Sequence, residues 1–227
     1  QMLDNARREF VANVSHALRT PLTTIKTYAE TITDMGSEDT DSSILHFVKV
    51  IENEADRMTR LVKDLLTLSQ LDSSKKIERR KKFDLAQLIS SVCEKLSITA
   101  KNSGHRIKLD INMSSPTCFG EPDAIEQVIT NIISNSIKYT PGGGRIDIAC
   151  YGDFSKAYIS VRDNGIGIPA SDLPRIFERF YRVDKARSRQ SGGTGLGLAI
   201  AKEIILRHGG TIEIESPNQR GTIVKIT

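Results

Sequence analysis

Apolar residues recur every three or four positions over the first third of the chain, which predicts two long helices. In residues 1–34 these positions are Val14, Leu18, Leu22, Ile25, Ala29 and Ile32. In residues 42–72 they are Ile44, Val48, Ile51, Ala55, Met58, Val62 and Leu65. The alternating steps of four and three in the second set form a heptad pattern, which is typical of helices that pack along a seam. Each helix would be about 45–50 Å long at the usual rise per residue.

A polar segment, Gly36–Asp41, separates the two helices and predicts an antiparallel helical hairpin. One hairpin cannot bury the apolar faces of two such helices, whereas two copies can do so as a four-helix bundle. We therefore expect a homodimer through the N-terminal helices. The alternative is a hairpin that packs on its own second domain.

From Phe83 onward the pattern changes to a mixture of helices and strands. Asp84 is suited to capping a helix that ends near Ala100. Further helices are predicted over Pro122–Lys138 and Thr194–His208, and strands over Arg106–Asn112, Arg145–Tyr151, Lys156–Arg162, Thr211–Glu215 and Gly221–Ile226. The fold class is therefore α+β: a helical hairpin over residues 1–72, a linker over 73–82, and an α/β sandwich over 83–227. Its sheet should be mixed, largely antiparallel and covered by helices on one face.

The net charge of +4 comes from 32 basic and 28 acidic residues among 227. The run Lys75–Lys82 alone holds six basic residues and one acidic residue, which leaves the rest of the chain near neutrality. Such a local excess is typical of a solvated linker and does not predict a nucleic-acid-binding protein. No run of apolar residues is long enough to span a membrane. Because the chain starts at Gln1 and stops at Thr227 in a strand-like run, we expect a fragment of a longer protein.

Two glycine-rich segments point to a nucleotide. Gly192–Leu198 leads directly into an apolar helix, whose free N–H groups and positive end attract phosphate, and the glycines let the backbone come close. Asp163–Pro169 follows a strand, where a carboxylate can accept a hydrogen bond from an exocyclic amine and glycines leave room for a flat ring. The first segment is neither a P-loop nor a dinucleotide-binding fingerprint. Alone, each segment is also compatible with a plain hinge or turn.

A third candidate element is one face of the helix after Glu121. Asn131 and Asn135 are four residues apart and share this face, and Lys138 and Tyr139 follow near its C-terminal end. Two amide oxygens can hold a hydrated Mg²⁺ while a lysine neutralises phosphate. An isolated asparagine pair on a helix is usually solvated surface, so the prediction depends on the two glycine-rich segments. The three segments together predict a pocket for a magnesium nucleotide without a P-loop.

On the strength of these segments, the chain resembles the sensor histidine kinases, whose ATP-binding domain belongs to the GHKL class. The resemblance covers nearly the whole chain, and its motifs come in family order. They are the H box (Phe10–Thr23), N box (Asn131–Tyr139), G1 box (Asp163–Ile168), F box (Phe177–Arg182), G2 box (Gly193–Leu198) and the final Gly221-Thr222. The runs Phe10–His16 and Phe180–Arg187 are most similar to a branch of this family found in Gram-positive bacteria.

The resemblance implies a role for each motif residue. His16 would accept the phosphoryl group, with Arg19 and Lys138 among the catalytic residues and Thr20 orienting water for phosphatase activity. The residues implied to bind ATP are Asn131, Asn135, Lys138, Tyr139, Asp163, Gly165, Gly167, Gly193, Thr194, Gly195, Leu196, Gly197 and Thr222. The implied Mg²⁺ ligands are Asn135 and, less directly, Asn131. Residues 183–194 would form a lid over ATP, and residues 72–82 a hinge.

The pattern around His16 agrees with this role. Val14 and Leu18 face the helical seam, and His16 lies two residues from each, about 200° around the helix. The side chain of His16 is therefore expected to point outward.

One residue departs from the family. Sensor histidine kinases usually have Glu or Asp directly after the phospho-acceptor, where it acts as general base, and this chain has Ala17. Loss of a general base typically lowers a rate by about 10²–10⁴-fold. We therefore expect weak autophosphorylation with nucleotide binding intact.

The implied partners are a second copy of the chain and the receiver domain of a response regulator, with no nucleic acid and no direct membrane contact. The implied location is the cytoplasmic portion of a bacterial membrane sensor. One rival class is an ATPase of the gyrase, Hsp90 or MutL type, but those proteins have a catalytic Glu four residues before the Mg²⁺-binding Asn, where this chain has Asn131. A second rival class is an ATP-binding scaffold or phosphatase without autokinase activity, and a third is a nucleic-acid binder through Lys75–Lys82.

Overall fold

The computed structural model describes residues 2–35, 41–73, 80–113, 117–152, 155–184, 193–217 and 220–227. The chain divides into two compact units, one of Gln1–Leu66 with Asp184–Thr194 and one of Thr67–Val183 with Gly195–Thr227. Most of the expected interhelical breaker, the middle of the linker and the middle of the lid lie outside the described residues, at 36–40, 74–79 and 185–192.

Helices α1 (Met2–Asp34) and α2 (Asp41–Ser73) have the lengths that the apolar periodicity predicts. The rings of Tyr28 and Phe47 lie 5.2 Å apart between their centres and join the two helices. Tyr28 is six residues before the end of α1 and Phe47 six residues after the start of α2. This symmetry about the connection is what an antiparallel hairpin requires.

The second unit contains seven strands and three helices among its described residues. They are β1 (Lys81–Asp84), α3 (Leu85–Asn102), β2 (Arg106–Met113), β3 (Thr117–Gly120), α4 (Pro122–Tyr139), β4 (Arg145–Gly152), β5 (Ala157–Asp163), α5 (Gly197–Arg207), β6 (Ile212–Glu215) and β7 (Thr222–Ile226). A single 3-10 turn, Leu173–Arg175, follows β5. Asp84 caps α3 as expected, because its carboxylate accepts a hydrogen bond from the Gln87 backbone N–H at 2.8 Å.

Five strands form one mixed sheet in the order β2-β4-β5-β7-β6. β2 runs parallel to β4, and the three other pairs are antiparallel. β1 and β3 form a separate antiparallel pair. The predicted mixed, largely antiparallel sheet is therefore confirmed.

The core lies between one face of the five-stranded sheet and helices α3, α4 and α5. Alternate residues of β4 are buried because successive side chains of a strand point to opposite faces. Side chains with almost no exposure include Ile89, Val128, Ile129, Ile132, Ile133, Ile146, Ile148, Ile200 and Ile204. Each such aliphatic side chain stabilises the fold by about 1.5–3 kcal/mol relative to an exposed one.

The structure differs from the sequence prediction in two places. Helix α5 begins at Gly197 and not at Thr194, because Gly195 has a φ of 76°, outside the helical region. Lys81 and Lys82, expected in the linker, belong to β1, whose partner β3 was not predicted. The placement of the domain boundaries stays a prediction.

Candidate functional site

Asp163 stands at the end of β5 with its carboxylate buried among hydrogen-bond donors. Oδ1 accepts hydrogen bonds from the backbone N–H groups of Gly165 at 3.0 Å and Thr222 at 3.1 Å. Oδ2 accepts one from the Ser136 hydroxyl at 3.0 Å. Asp163 is only 7% exposed. Three elements, α4, the turn after β5 and β7, thus hold one carboxylate in a fixed orientation.

Burial raises the pKa of Asp163, and the hydrogen bonds from Gly165, Ser136 and Thr222 oppose that rise. Ser136 was not predicted as a site residue. The sequence could have indicated Ser136, because it is a polar residue directly after Asn135 on a helix face that is otherwise apolar. In the structure Ser136 is buried on that face.

The turn after β5 is fixed by the chain segment that precedes β7. Gly221 donates its N–H to the carbonyl of Gly165 at 2.9 Å, and a Cβ on Gly221 would lie 2.4 Å from the carbonyl oxygen of Asp163. Gly167 has a φ of 76°, which favours glycine. Glycine is therefore needed at these positions for backbone segments to approach one another, as the glycine-rich pattern predicted.

Helix α4 brings Asn131 to the start of α5. The Asn131 amide Nδ2 donates to the carbonyl oxygen of Gly197 at 3.2 Å, which leaves its Oδ1 as an acceptor. Asn135 is half-buried one turn further along α4. Lys138 lies after it with Nζ 4.9 Å from the centre of the Tyr139 ring. Of the expected asparagine and lysine face, Asn131 thus contacts the N-terminal end of α5.

The loop before α5 is held by the backbone of Phe180. Phe180 donates its N–H to the carbonyl of Gly195 at 2.9 Å. Both residues have positive φ, 65° at Phe180 and 76° at Gly195, and such a conformation is uncommon for a phenylalanine. Leu196, between Gly195 and α5, is fully buried. The first turn of α5, whose N–H groups have no carbonyl partner within the helix, therefore follows a loop that this hydrogen bond holds.

The first two residues of the expected phosphate loop, Gly193 and Thr194, are grouped with the first unit. There the Thr194 hydroxyl donates to the Asp64 carboxylate at 2.7 Å. Burial raises the pKa of Asp64, and the hydrogen bond from Thr194 opposes that rise. Gly195, Leu196 and Gly197 thus belong to the unit of Asp163, and Thr194 to the unit of His16.

His16 is exposed on α1, on the side of the helix opposite to the half-buried Val14 and Leu18. The hydroxyl of Thr20 donates to the carbonyl of His16 at 3.3 Å. Arg19 is exposed and Ala17 half-buried, while Pro21 is buried within the helix. An exposed imidazole on a helix is accessible to an incoming phosphoryl donor.

Two further histidines are engaged with the backbone. His105 contacts the carbonyl of Ile137 through Nε2 at 3.0 Å. His208 bridges two elements, because Nδ1 donates to the carbonyl of Ile204 at 2.8 Å and Nε2 accepts from the Glu121 N–H at 3.0 Å. These contacts indicate a structural role for both residues.

Comparison with known protein families now identifies both regions. Residues 120–227 match the family described as histidine kinase-, DNA gyrase B- and HSP90-like ATPase. Residues 6–74 match the His Kinase A (phospho-acceptor) domain. The class is therefore a phospho-acceptor domain followed by an ATPase domain of the histidine kinase type. The chain thus contains both of these domains, and over its whole length it is similar to sensor histidine kinases.

The WalK kinases are among its relatives. The chain is 44% identical over its whole length to the sensor histidine kinase WalK of Bacillus subtilis and spans 37% of the length of that protein. This relative agrees with the branch that the H-box and F-box runs indicated.

Solved histidine kinases share the fold. A complex of the histidine kinase ThkA with the response regulator TrrA aligns with a TM-score of 0.74 at 24% identity, covering 96% of this chain and 60% of that one. Full-length ShkA in complex with AMPPNP aligns with a TM-score of 0.69 at 25% identity, covering 96% of this chain and 45% of that one.

Within the described residues, none of the helices has the length and apolar character that a membrane span requires.

Proposed function

We propose that this chain is the kinase part of a two-component sensor. It binds ATP, transfers the γ-phosphoryl group to His16, and passes that group to an aspartate of a response regulator. The observation that carries the proposal is that one chain combines an exposed His16 in a phospho-acceptor match with the buried Asp163 in an ATPase match. The 44% identity to a sensor histidine kinase over the whole chain supports the same activity.

Asp163 would hold the base of ATP, since an ionised carboxylate fixed by three donors accepts a hydrogen bond from an exocyclic amine. Gly165 and Gly167 would leave room for the ring, and Thr222 would fix the carboxylate through its N–H. Tyr139 would line the pocket beside Lys138.

The triphosphate would lie between the polar face of α4 and the start of α5. Gly195, Leu196 and Gly197 would offer backbone N–H groups at the positive end of a helix. Phosphate contacts of Gly193 and Thr194 stay predictions. Lys138 would neutralise phosphate charge.

The amide oxygens of Asn135 and Asn131 fit the ligand chemistry of Mg²⁺. The Asn131 nitrogen is occupied by the Gly197 carbonyl, so the atom left for a ligand is the oxygen. When bound, Mg²⁺ would supply positive charge that neutralises the phosphates. Asn135 and Asn131 are the residues that would hold it.

The transfer itself is an in-line displacement at phosphorus. An imidazole nitrogen of His16 would supply the electron pair for the new N–P bond, the bond from the γ-phosphorus to the β,γ-bridging oxygen breaks, and ADP leaves with that electron pair. The ring proton must go to a base or to water. The acid that usually takes it is replaced by Ala17, so we expect a slow step. Arg19, exposed one turn from His16, would help to attract the phosphates.

Thr20 would take part in phosphatase activity, which removes the phosphoryl group from the regulator. Its hydroxyl lies one helical turn from His16, where it could orient a water molecule that hydrolyses the phosphoaspartate of the regulator. Because this step does not use the residue at position 17, phosphatase activity is expected to remain.

The partners that we propose are a second copy and a receiver domain. Dimerisation is supported by the large apolar side chains that the hairpin leaves exposed: Val11, Leu22, Leu45, Val48, Val62 and Leu66. Two such hairpins would cover these faces as a four-helix bundle. The location that we propose is the cytoplasmic side of a membrane sensor, because the WalK relative is a sensor kinase of which this chain spans 37%.

The direct test is incubation of the chain with γ-labelled ATP, followed by mapping of the label. We expect acid-labile label on His16, at a low rate, and none in His16→Gln. His46→Gln is the matched control, since His46 is another exposed histidine of the hairpin. Nucleotide binding without any label would favour the second candidate, an ATP-binding scaffold or phosphatase, for which Ala17 is the supporting observation.

A further inference from the structure

Among the residues that the structure describes, a buried hydroxyl beside Asp163 has no hydrogen-bond partner. Thr140 follows the last residue of α4 and is only 6% exposed, yet its Oγ1 makes no hydrogen bond with any described residue. A buried hydroxyl left unsatisfied costs about 1–3 kcal/mol, so such a group calls for an explanation.

The hydroxyl belongs to a set of oxygens that converge on Gly165. A Cβ at residue 165 would lie 2.6 Å from the carbonyl oxygen of Tyr139, 2.9 Å from Oδ1 of Asp163 and 3.1 Å from Oγ1 of Thr140. These three oxygen atoms line a small space, here called the cradle, which any side chain at residue 165 would fill. Glycine thus keeps an oxygen-lined cradle beside the carboxylate that we propose for the base of ATP.

The donors closest to Asp163 are already engaged. The Ser136 hydroxyl and the N–H groups of Gly165 and Thr222 all donate to the Asp163 carboxylate. The Ile166 N–H donates to the carbonyl of Tyr139 at 3.1 Å. The Thr140 hydroxyl is therefore a donor of the cradle that remains available to a ligand.

An adenine edge needs that donor. Its exocyclic amine donates, and the adjacent ring nitrogen N1 accepts, so a complementary site needs an acceptor beside a donor. Resting on the proposed ATP binding, we propose that Thr140 is a base-recognition residue whose hydroxyl donates to N1 of the purine, directly or across one water molecule, while Asp163 accepts from the amine. A guanine edge presents the reverse order of acceptor and donor and is disfavoured at such a pair.

The methyl group of Thr140 has a separate, structural role. A Cβ built on Gly144 would lie 2.0 Å from Cγ2 of Thr140, so this methyl fills the space that Gly144 leaves. Thr140→Val keeps that methyl and removes only the hydroxyl. Since the hydroxyl is buried and unpaired without ligand, the variant should be at least as thermostable as the unchanged chain.

The test compares binding of ATP and 1-deaza-ATP, which retains the amine and lacks N1, by calorimetry. The unchanged chain should bind 1-deaza-ATP about 3- to 10-fold more weakly than ATP. Thr140→Val should bind both ligands equally, with the affinity that the unchanged chain has for 1-deaza-ATP. Thr140→Ser should restore discrimination, and Thr211→Val, at an exposed threonine outside the pocket, should leave it unchanged.

Discrimination that persists in Thr140→Val, or its absence in the unchanged chain, would overturn the proposal. If the valine variant does not fold, Thr140→Ala provides the second variant without a hydroxyl, and the same equality of the two ligands is required of it. Failure of the unchanged chain to bind ATP at all would instead count against the proposed function.

Discussion

The two candidate sites are built in opposite ways. His16 lies exposed on one helix, and its hydrogen-bonded neighbour Thr20 comes from the next turn of that helix. Asp163 is buried, and its partners Ser136 and Thr222 lie 27 and 59 residues away along the chain. The first site is local and open to solvent, whereas the second depends on the assembled sheet.

This difference predicts how substitutions act. A change at Ala17 or Arg19 should alter the chemistry with little effect on folding, because these side chains are half-buried or exposed and surface substitutions usually change stability by less than about 0.5 kcal/mol. A change at Asp163 affects hydrogen bonds within the fold as well as the proposed contact with the base, so binding and stability have to be measured separately.

The largest effect is expected at the open site. Ala17→Glu should raise the rate of His16 labelling by about 10²–10⁴-fold, because the new carboxylate can take the imidazole proton. The initial rate with γ-labelled ATP measures it, and the affinity for ATP should not change. Ala17→Gln is the matched control without a base. Equal rates for the glutamate variant and the unchanged chain would show that another group already removes the proton.

The second largest effect is expected for a substitution of the buried Asp163. Asp163→Asn should weaken ATP binding about 10- to 150-fold, as expected for the loss of a charged hydrogen-bond acceptor. Its melting temperature should stay level or rise, because a buried charge is removed while the amide still accepts from Gly165 and Thr222. Calorimetry and thermal melts measure the two. A fall in stability together with binding would mean that the carboxylate is needed for the fold.

A pH titration of ATP binding tests the burial of Asp163. Because burial raises the pKa of Asp163, the ionised form that binds the amine is lost at a higher pH than for an ordinary aspartate. Affinity for ATP should therefore fall as the pH is lowered through that raised pKa. The contribution of Asp163 to the unfolding free energy should rise over the same interval, since the folded state binds the proton more tightly.

Asp163→Asn supplies the reference for this titration, because protonation of the phosphates affects both proteins equally. The ratio of the two affinities should approach one toward acid pH. A ratio that is independent of pH would contradict the assignment of Asp163 as the titrating group.

The smallest effect concerns two ring pairs that contain tyrosine, one in each unit. Tyr28→Leu should lower the stability of the hairpin by about 0.5–1.5 kcal/mol through the loss of the ring contact with Phe47. ATP affinity should not change. Tyr151→Leu, in the stacked pair with Tyr158 at the same 5.2 Å separation, is the counterpart in the second unit. Denaturant melts monitored by hydrogen exchange would measure the stability of each unit separately.

The sequence predicted best what is periodic or local. Helices α1 and α2 follow from uninterrupted apolar spacing, and the cap at Asp84 follows from one polar residue before an apolar run. The acidic and glycine-rich turn after β5 was also evident, because its residues are adjacent in the chain.

Features that depend on distant partners were missed. β1 and β3 are four residues each, too short for alternation to show, and the lysines of β1 read as linker. The positive φ of Phe180 depends on its contact with Gly195, which no local pattern reveals. Ser136 and Thr140 were not predicted as site residues, because their significance comes from Asp163 and Gly165, which are distant in the sequence.

The position of β7 has a consequence for how the protein is made. β7 is the last of the described strands in the chain, yet it lies between β5 and β6 in the sheet, and its first residue donates an N–H to Asp163. During synthesis one edge of β5 therefore remains unpaired until about 60 further residues have left the ribosome. The nucleotide pocket that we propose around Asp163 can thus be completed only after nearly all of this domain has been translated.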